Sequence, residues 1–116
     1  MWYQDTTRAN ISESGLEEFE HHLLFDAGLE TQKHFYHNWS KEDGRERRAL
    51  LREHILSCRN ETYVVRIDQK SRSSDIDELV PCEVYIGGTD ANKKKDLVDK
   101  LRAIYKTQEA NQGANQ

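Results

Sequence analysis

The chain has 116 residues and a formal net charge of −4, from 17 Lys and Arg against 21 Asp and Glu, and only 24 residues are Leu, Ile, Val or Phe. This composition predicts one folded but thinly cored domain and argues against a general binder of nucleic acid. No apolar run reaches the roughly eighteen residues of a membrane-spanning helix, and the N-terminus lacks a signal-peptide pattern, so we expect a cytoplasmic protein.

The first predicted elements are a short edge strand and a helix. The mixed segment 2–7 fits a strand at the edge of a sheet. Ser14 and Glu17 have the spacing of a capping box, apolar residues follow at helical spacing, and Gly28 offers a stop. The sequence therefore predicts a helix over residues 15–27.

Two further helices are predicted between residues 29 and 58. The segment 29–39 places Phe35 and Trp39 four residues apart, which favours a second helix. Ser40 can cap a third helix, whose apolar stripe includes Ile55 and Cys58.

The pattern changes to a period of two at Thr62. Apolar residues alternate over 63–68 and again over 80–86, which predicts two strands, and a last amphipathic helix follows over 90–108. The polar segment 109–116 has nothing to bury and is predicted to be a disordered tail. The fold class is thus α+β: two or three N-terminal helices, a small antiparallel sheet of two or three strands, and a C-terminal helix on one face, in a single domain over 1–108.

Charge is segregated along the chain. Six acids lie in the N-terminal part without a neighbouring base: Glu13, Glu17, Glu18, Glu20, Asp26 and Glu30. Basic residues gather on the predicted third and last helices: Lys41, Arg45, Arg47, Arg48, Arg52 and Arg59, then Lys93, Lys94, Lys95, Lys100, Arg102 and Lys106. These sets either pair with each other inside the fold or complement partners. No catalytic motif occurs, so we predict a non-catalytic regulatory protein that docks onto a basic protein surface through Glu17, Glu18, Glu20, His21 and His22.

Histidine and cysteine suggest an alternative function. His34 and His37 form one closely spaced pair, and His54 and Cys58 form another, as a tetrahedral zinc site requires. This alternative is a zinc-stapled module that binds nucleic acid through the basic helices. If they do not bind zinc, the four side chains belong to the core and the surface, and no cofactor is expected.

A second local pattern suggests an anion site. Three lysines follow two glycines and a threonine at the start of the last helix: Gly87, Gly88, Thr89, Lys93, Lys94 and Lys95. Cations oppose the helix dipole at that position, and a bound anion would reverse the penalty. A solvated first turn is the other interpretation.

A divergent magnesium-dependent nuclease is the remaining alternative. Asp68 and Glu83 lie on the two predicted strands and could hold a divalent cation between them. Nucleases of this kind place a lysine two residues after the second acid, where this chain has Tyr85. A partner protein, a second copy of the chain or a bound metal could each supply the burial or cross-linking that the thin core lacks.

Overall fold

The chain forms a five-stranded antiparallel sheet with two helices packed on one face. We describe it from a computed structural model covering residues 1–42, 45–71 and 73–114, with side chains for all of these except 38–49 and 112–114. The elements in chain order are β1 (Tyr3–Ser12), α1 (Glu13–His21), a π-helical turn (His22–Asp26), β2 (Glu30–Glu42), β3 (Arg45–Cys58), β4 (Glu61–Gln69), β5 (Leu79–Gly88) and α2 (Ala91–Ala114). The predicted α+β class is confirmed, as is the C-terminal helix.

The strand order is β1-β5-β4-β3-β2, so β1 and β2 are the two edges. The predicted pairing of the two central strands is found: Val65 lies opposite Ile86, and Ile67 lies opposite Val84. The predicted N-terminal edge strand is also present, because β1 pairs with β5 along its whole length. The sheet therefore needs no second chain to exceed two strands.

The core lies between the helices and one face of the sheet. Its buried members alternate along β4 and β5 and recur at helical spacing in α1 and α2; they include Leu16, Phe19, Tyr63, Val65, Ile67, Val84, Ile86, Leu97 and Leu101. The opposite face of the sheet is open, as one face of an antiparallel sheet often is. Among the described helices, none is long and apolar enough to cross a membrane.

The start of α1 differs from the predicted capping box. The helix begins two residues earlier, and Ser12, not Ser14, is the N-cap: its hydroxyl accepts a hydrogen bond from Gly15 N at 3.0 Å. The predicted stop is found, since Gly28 has a φ of 70° just after the π-helical turn. Between Ser12 and Gly28 the expected helix is thus present, but its last part is π-helical.

The two helices predicted over residues 29–58 are wrong. This region forms β2 and β3, a long antiparallel hairpin whose register is interrupted by irregularities at Thr31/Lys33 and Trp39/Lys41. The buried residues of β3 alternate, with Leu50, Arg52, His54 and Leu56 on the helix side of the sheet. The basic residues assigned to a third helix therefore lie on a strand, apart from Arg59, which occupies the turn after β3 with a φ of 57°.

The last helix extends further than the sequence predicts. It runs to Ala114, so residues 109–114, predicted to belong to a disordered tail, have helical backbone. Residues 115 and 116 lie outside the described residues.

Candidate functional site

The inner side of α1 is tied to the sheet by polar contacts as well as apolar ones. We call Glu13, Glu20, Tyr36, Arg52 and His54 the buried polar cluster. Glu20 Oε2 lies 2.6 Å from His54 Nε2 and accepts a hydrogen bond from the Tyr36 hydroxyl at 3.2 Å. Its other oxygen lies 3.3 Å from Arg52 Nε, while Arg52 Nη2 lies 3.6 Å from Glu13 Oε1. One carboxylate on α1 therefore holds side chains from β2 and β3 at once.

Three members of the cluster are largely excluded from water, whereas Tyr36 is 52% exposed at its edge. The side chains of His54 and Arg52 are 1% and 5% exposed, and that of Glu20 is 12% exposed. Burial and the nearby Glu20 carboxylate both raise the pKa of Tyr36, which keeps its hydroxyl protonated as a donor. Because a carboxylate oxygen accepts hydrogen bonds, His54 Nε2 is the donor in its contact with Glu20. The arrangement is that of an ion-paired anchor between helix and sheet.

Several buried polar atoms in and beside the cluster have no hydrogen-bond partner among the described residues. They are Arg52 Nη1, His54 Nδ1 and both polar side-chain atoms of Gln69. Gln69 is fully buried and lies diagonally across from Arg52, since β3 and β4 pair Leu50 with Gln69 and Arg52 with Ile67. Buried polar groups are normally paired, so this corner of the core departs from the usual pattern.

The outer side of α1 carries acids and one exposed aromatic ring. We call Glu17, Glu18, His21, Phe25 and Asp26 the α1 stripe, and each is exposed. Phe25, in the π-helical turn, is 72% exposed, and its ring centroid lies 4.8 Å from that of His21. Phe25 is therefore a large apolar side chain that is exposed on the same helical segment as three exposed acids.

The stripe borders the basic side of α2 at His22. Burial lowers the pKa of His22, Lys100 and Lys93 lower it further, and Asp26 acts against them. His22 thus favours its neutral form, and the charges near it are those of Lys100, Lys93 and Asp26.

The residues predicted to bind a partner divide into two groups. Glu17, Glu18 and His21 point to solvent, and His22 is half-buried. Glu20 does not belong to the outer surface, because it is 9% exposed and is held inside the buried polar cluster. Four of the five lie on α1 and His22 begins the π-helical turn, but the sequence could not tell which side of the helix faced the sheet.

The residues of the suggested zinc site do not converge. His34 and His54 are cross-strand partners with ring centroids 6.5 Å apart, but His37 follows His34 by three residues and so lies on the opposite face of β2. Cys58 is four residues from His54 along β3, about 13 Å in a strand. Within the described part of the chain, no group of three or more His, Cys, Asp or Glu side chains is placed to hold a metal ion.

The predicted anion site is already occupied by contacts within the chain. Gly87 and Gly88 belong to β5, and Thr89 accepts a hydrogen bond from Thr62 N. The Asp90 carboxylate accepts from Asn92 N at 2.9 Å and so supplies a negative charge at the start of α2. The three lysines have partners: Lys93 donates to Ala27 O, Lys94 pairs with Asp5, and Lys95 lies 3.8 Å from Asp99. None of these contacts supports an anion site.

The carboxylates of the nuclease alternative do come together. Asp68 and Glu83 are direct cross-strand partners on the open face of the sheet. Each has a cation of its own, since Lys70 Nζ lies 2.5 Å from Asp68 and Arg8 Nε lies 3.2 Å from Glu83. A depression of about 330 Å³ beside them is lined by Arg8, Ala9, Asn10, Lys70, Pro81, Cys82 and Glu83. The arrangement is one of neutralised pairs on a solvated face.

Comparison with known proteins adds no family to this geometry: no protein-family model, no curated protein and no solved structure matches the chain. The functional argument therefore rests on the side chains described above.

Proposed function

We propose that this protein is a small, non-catalytic cytoplasmic binding protein that docks onto another protein through the α1 stripe. The observation that supports the proposal best is Phe25, a large apolar side chain that is 72% exposed on the helical segment that also carries exposed acids. The partner surface that fits it is basic and contains an apolar pocket for one aromatic ring.

The energetics of such a contact follow from its parts. Burying an aromatic side chain contributes roughly 1.5–3 kcal/mol, and anchors of this kind dominate protein interfaces. The surrounding carboxylates of Glu17, Glu18 and Asp26 add attraction to a basic surface, which mainly speeds encounter and selects the partner. Phe25 is therefore expected to set the affinity, and the acids are expected to set the salt dependence.

The buried polar cluster supports this function by fixing the orientation of α1 on the sheet. Glu20 joins α1 to β2 and β3 through Tyr36, His54 and Arg52, so the helix has one orientation on the sheet. A surface that is already rigid loses less conformational entropy on binding. The same contacts that remove Glu20 from the surface thus hold Glu17, Glu18 and His21 toward solvent.

Site-specific photocrosslinking tests the proposal. Phe25 is replaced by p-benzoylphenylalanine in cells that produce the chain, with the same replacement at Ile76, which is 54% exposed in the loop before β5, as the matched control. A protein adduct at position 25 that is absent at position 76 is expected. Equal adducts at both positions, or none at either, would refute the α1 stripe as the docking surface.

The identified partner then allows a quantitative test. Changing both Glu17 and Glu18 to Lys should weaken binding at low salt by about tenfold or more and flatten the salt dependence, since it reverses two of the attracting charges. Phe25→Ala should weaken binding while leaving the salt dependence intact. Binding that is insensitive to both variants would contradict the proposal even if an adduct had formed.

A further inference from the structure

The two edges of the sheet are protected to different degrees. Along β1, α2 packs against the strand, and Asp5 and Arg8 form ion pairs with Lys94 and Glu83. Along β2, every described side chain from Glu30 to His37 is exposed. Phe35 and Tyr36 are 53% and 52% exposed although they lie on opposite faces of the strand. The edge at β2 is thus long and carries aromatic rings in water.

Natural proteins usually protect such an edge with proline, inward charges or bulges along it. The irregularities of β2 lie at Thr31/Lys33 and Trp39/Lys41, and they bound a regular stretch from Lys33 to Trp39. Within that stretch the sequence has no proline, and Lys33, at one end, is its only Lys, Arg, Asp or Glu. The outward N–H and C=O groups of this stretch form an edge to which another extended strand can be added.

We propose that the other strand is β2 of a second copy, paired antiparallel about a two-fold axis at Tyr36. The regular stretch has three residues on each side of Tyr36, so in this register both copies reach their irregularities together. The register places Tyr36 opposite itself, Phe35 opposite His37, and Lys33 opposite Trp39 of the second copy. In this register no two carboxylates and no two ammonium groups face each other. Aromatic pairs across strands are also favourable.

The second copy is a better match than an unrelated peptide. A two-fold contact uses the same patch on both chains and closes after two copies, so it leaves no new edge at β2. The result is one continuous sheet formed from both five-stranded sheets. Seven paired residues span about 23 Å, which gives an interface at the small end of specific contacts.

Sedimentation equilibrium from about 1 to about 500 µM tests the proposal by following the monomer and dimer populations. Tyr36→Glu places two carboxylates opposite each other at the axis and should raise the dissociation constant about tenfold or more. The variant also brings a carboxylate close to Glu20 of the same chain, so circular dichroism must show that it keeps the native fold. Tyr36→Phe removes only the hydroxyl that donates to Glu20 and should leave the dimer intact. Phe25→Glu, on α1, controls for nonspecific apolar association and should have no effect. A chain that stays monomeric, or a dimer that responds to Phe25→Glu and not to Tyr36→Glu, would overturn the proposal.

Disulfide trapping checks the register independently of that charge substitution. In a Cys58→Ser background, Tyr36→Cys should crosslink two copies rapidly with diamide as the oxidant. Lys33→Cys should crosslink slowly, because the two copies of position 33 would lie about 20 Å apart. Circular dichroism verifies that both variants are folded. Equal rates at the two positions would refute this pairing.

Discussion

The Glu20→Gln variant tests whether the buried polar cluster anchors α1. Glu20 contacts Tyr36, His54 and Arg52, and the amide keeps one acceptor oxygen but turns an NH₂ group toward donors. Removing one partner of a buried ion pair costs about 3–5 kcal/mol, and the retained acceptor favours the lower end. A domain of this length has roughly 6–17 kcal/mol of stability, and each kcal/mol corresponds to about 4 °C in Tm. We therefore expect Tm to fall by about 12 °C.

Thermal and urea unfolding followed by circular dichroism measure this effect. Glu17→Gln is the matched control, because it removes the same charge from the exposed side of the same helix and should change stability by less than about 0.5 kcal/mol. A double-mutant cycle with His54→Gln should give a coupling of about 0.5–3 kcal/mol. If Glu20→Gln is as stable as Glu17→Gln, the carboxylate does not anchor the helix, and the rigidity argued for the α1 stripe fails with it.

Three further predictions concern single groups in the fold. Burial raises the pKa of Cys82 to about 11. At pH 8 a thiol reagent should therefore react with Cys58 in the native protein and with Cys82 only after denaturation. Rapid reaction of both thiols in the native protein would contradict this. Since the pKa of His22 is lowered below 6.5 in the fold, the free energy of unfolding should decrease as the pH falls below about 6.5, and His22→Gln should reduce that decrease in urea titrations. A Cβ at Gly88 would lie 2.4 Å from the ring of buried Tyr63. Gly88→Ala should therefore lower the free energy of unfolding by about 1–3 kcal/mol in urea titrations. An unchanged urea midpoint would refute the close packing.

The strands that the sequence predicted share one physical property. In β4 and β5 the buried face is apolar at nearly every alternate position, so Val65, Ile67, Val84 and Ile86 display the period of two directly. The last helix was equally clear because Leu97, Leu101 and Ile104 form its buried side. Where the core face is apolar, the sequence pattern and the burial pattern are the same.

The hairpin of β2 and β3 was missed for two different reasons. The buried side of β3 includes Arg52 and His54, so its alternation does not show as apolar against polar, and Leu51 and Ile55 instead mimic a helical stripe. In β2 no described side chain is buried, so an edge strand of this kind has no period to detect. The formation of both strands depends on pairing with residues that are distant in sequence, which a local pattern does not show.

The candidate site was predicted only on its outer side. Glu17, Glu18 and His21 are exposed as expected, because an acidic helical segment usually faces water. The cluster of Glu20 with Arg52 and His54 was not foreseen, since it needs contacts over more than thirty residues, such as that of Glu20 with His54. The sequence signal for this cluster was weak: Arg52 and His54 occupy alternate positions in a segment that is otherwise rich in leucine.

Gln69 gives a test of whether this polar corner of the core serves stability at all. Its amide is fully buried and, within the described residues, has no hydrogen-bond partner, which costs about 1–3 kcal/mol for a group of this kind. Gln69→Met keeps the length and removes the unpaired atoms, so it should raise the free energy of unfolding. The matched control is Gln108→Met, whose native amide pairs with Ser12 at both ends and which should therefore lose stability. If Gln69→Met destabilises the protein as much as Gln108→Met does, the Gln69 amide contributes to stability, and the cost assigned to its burial is wrong.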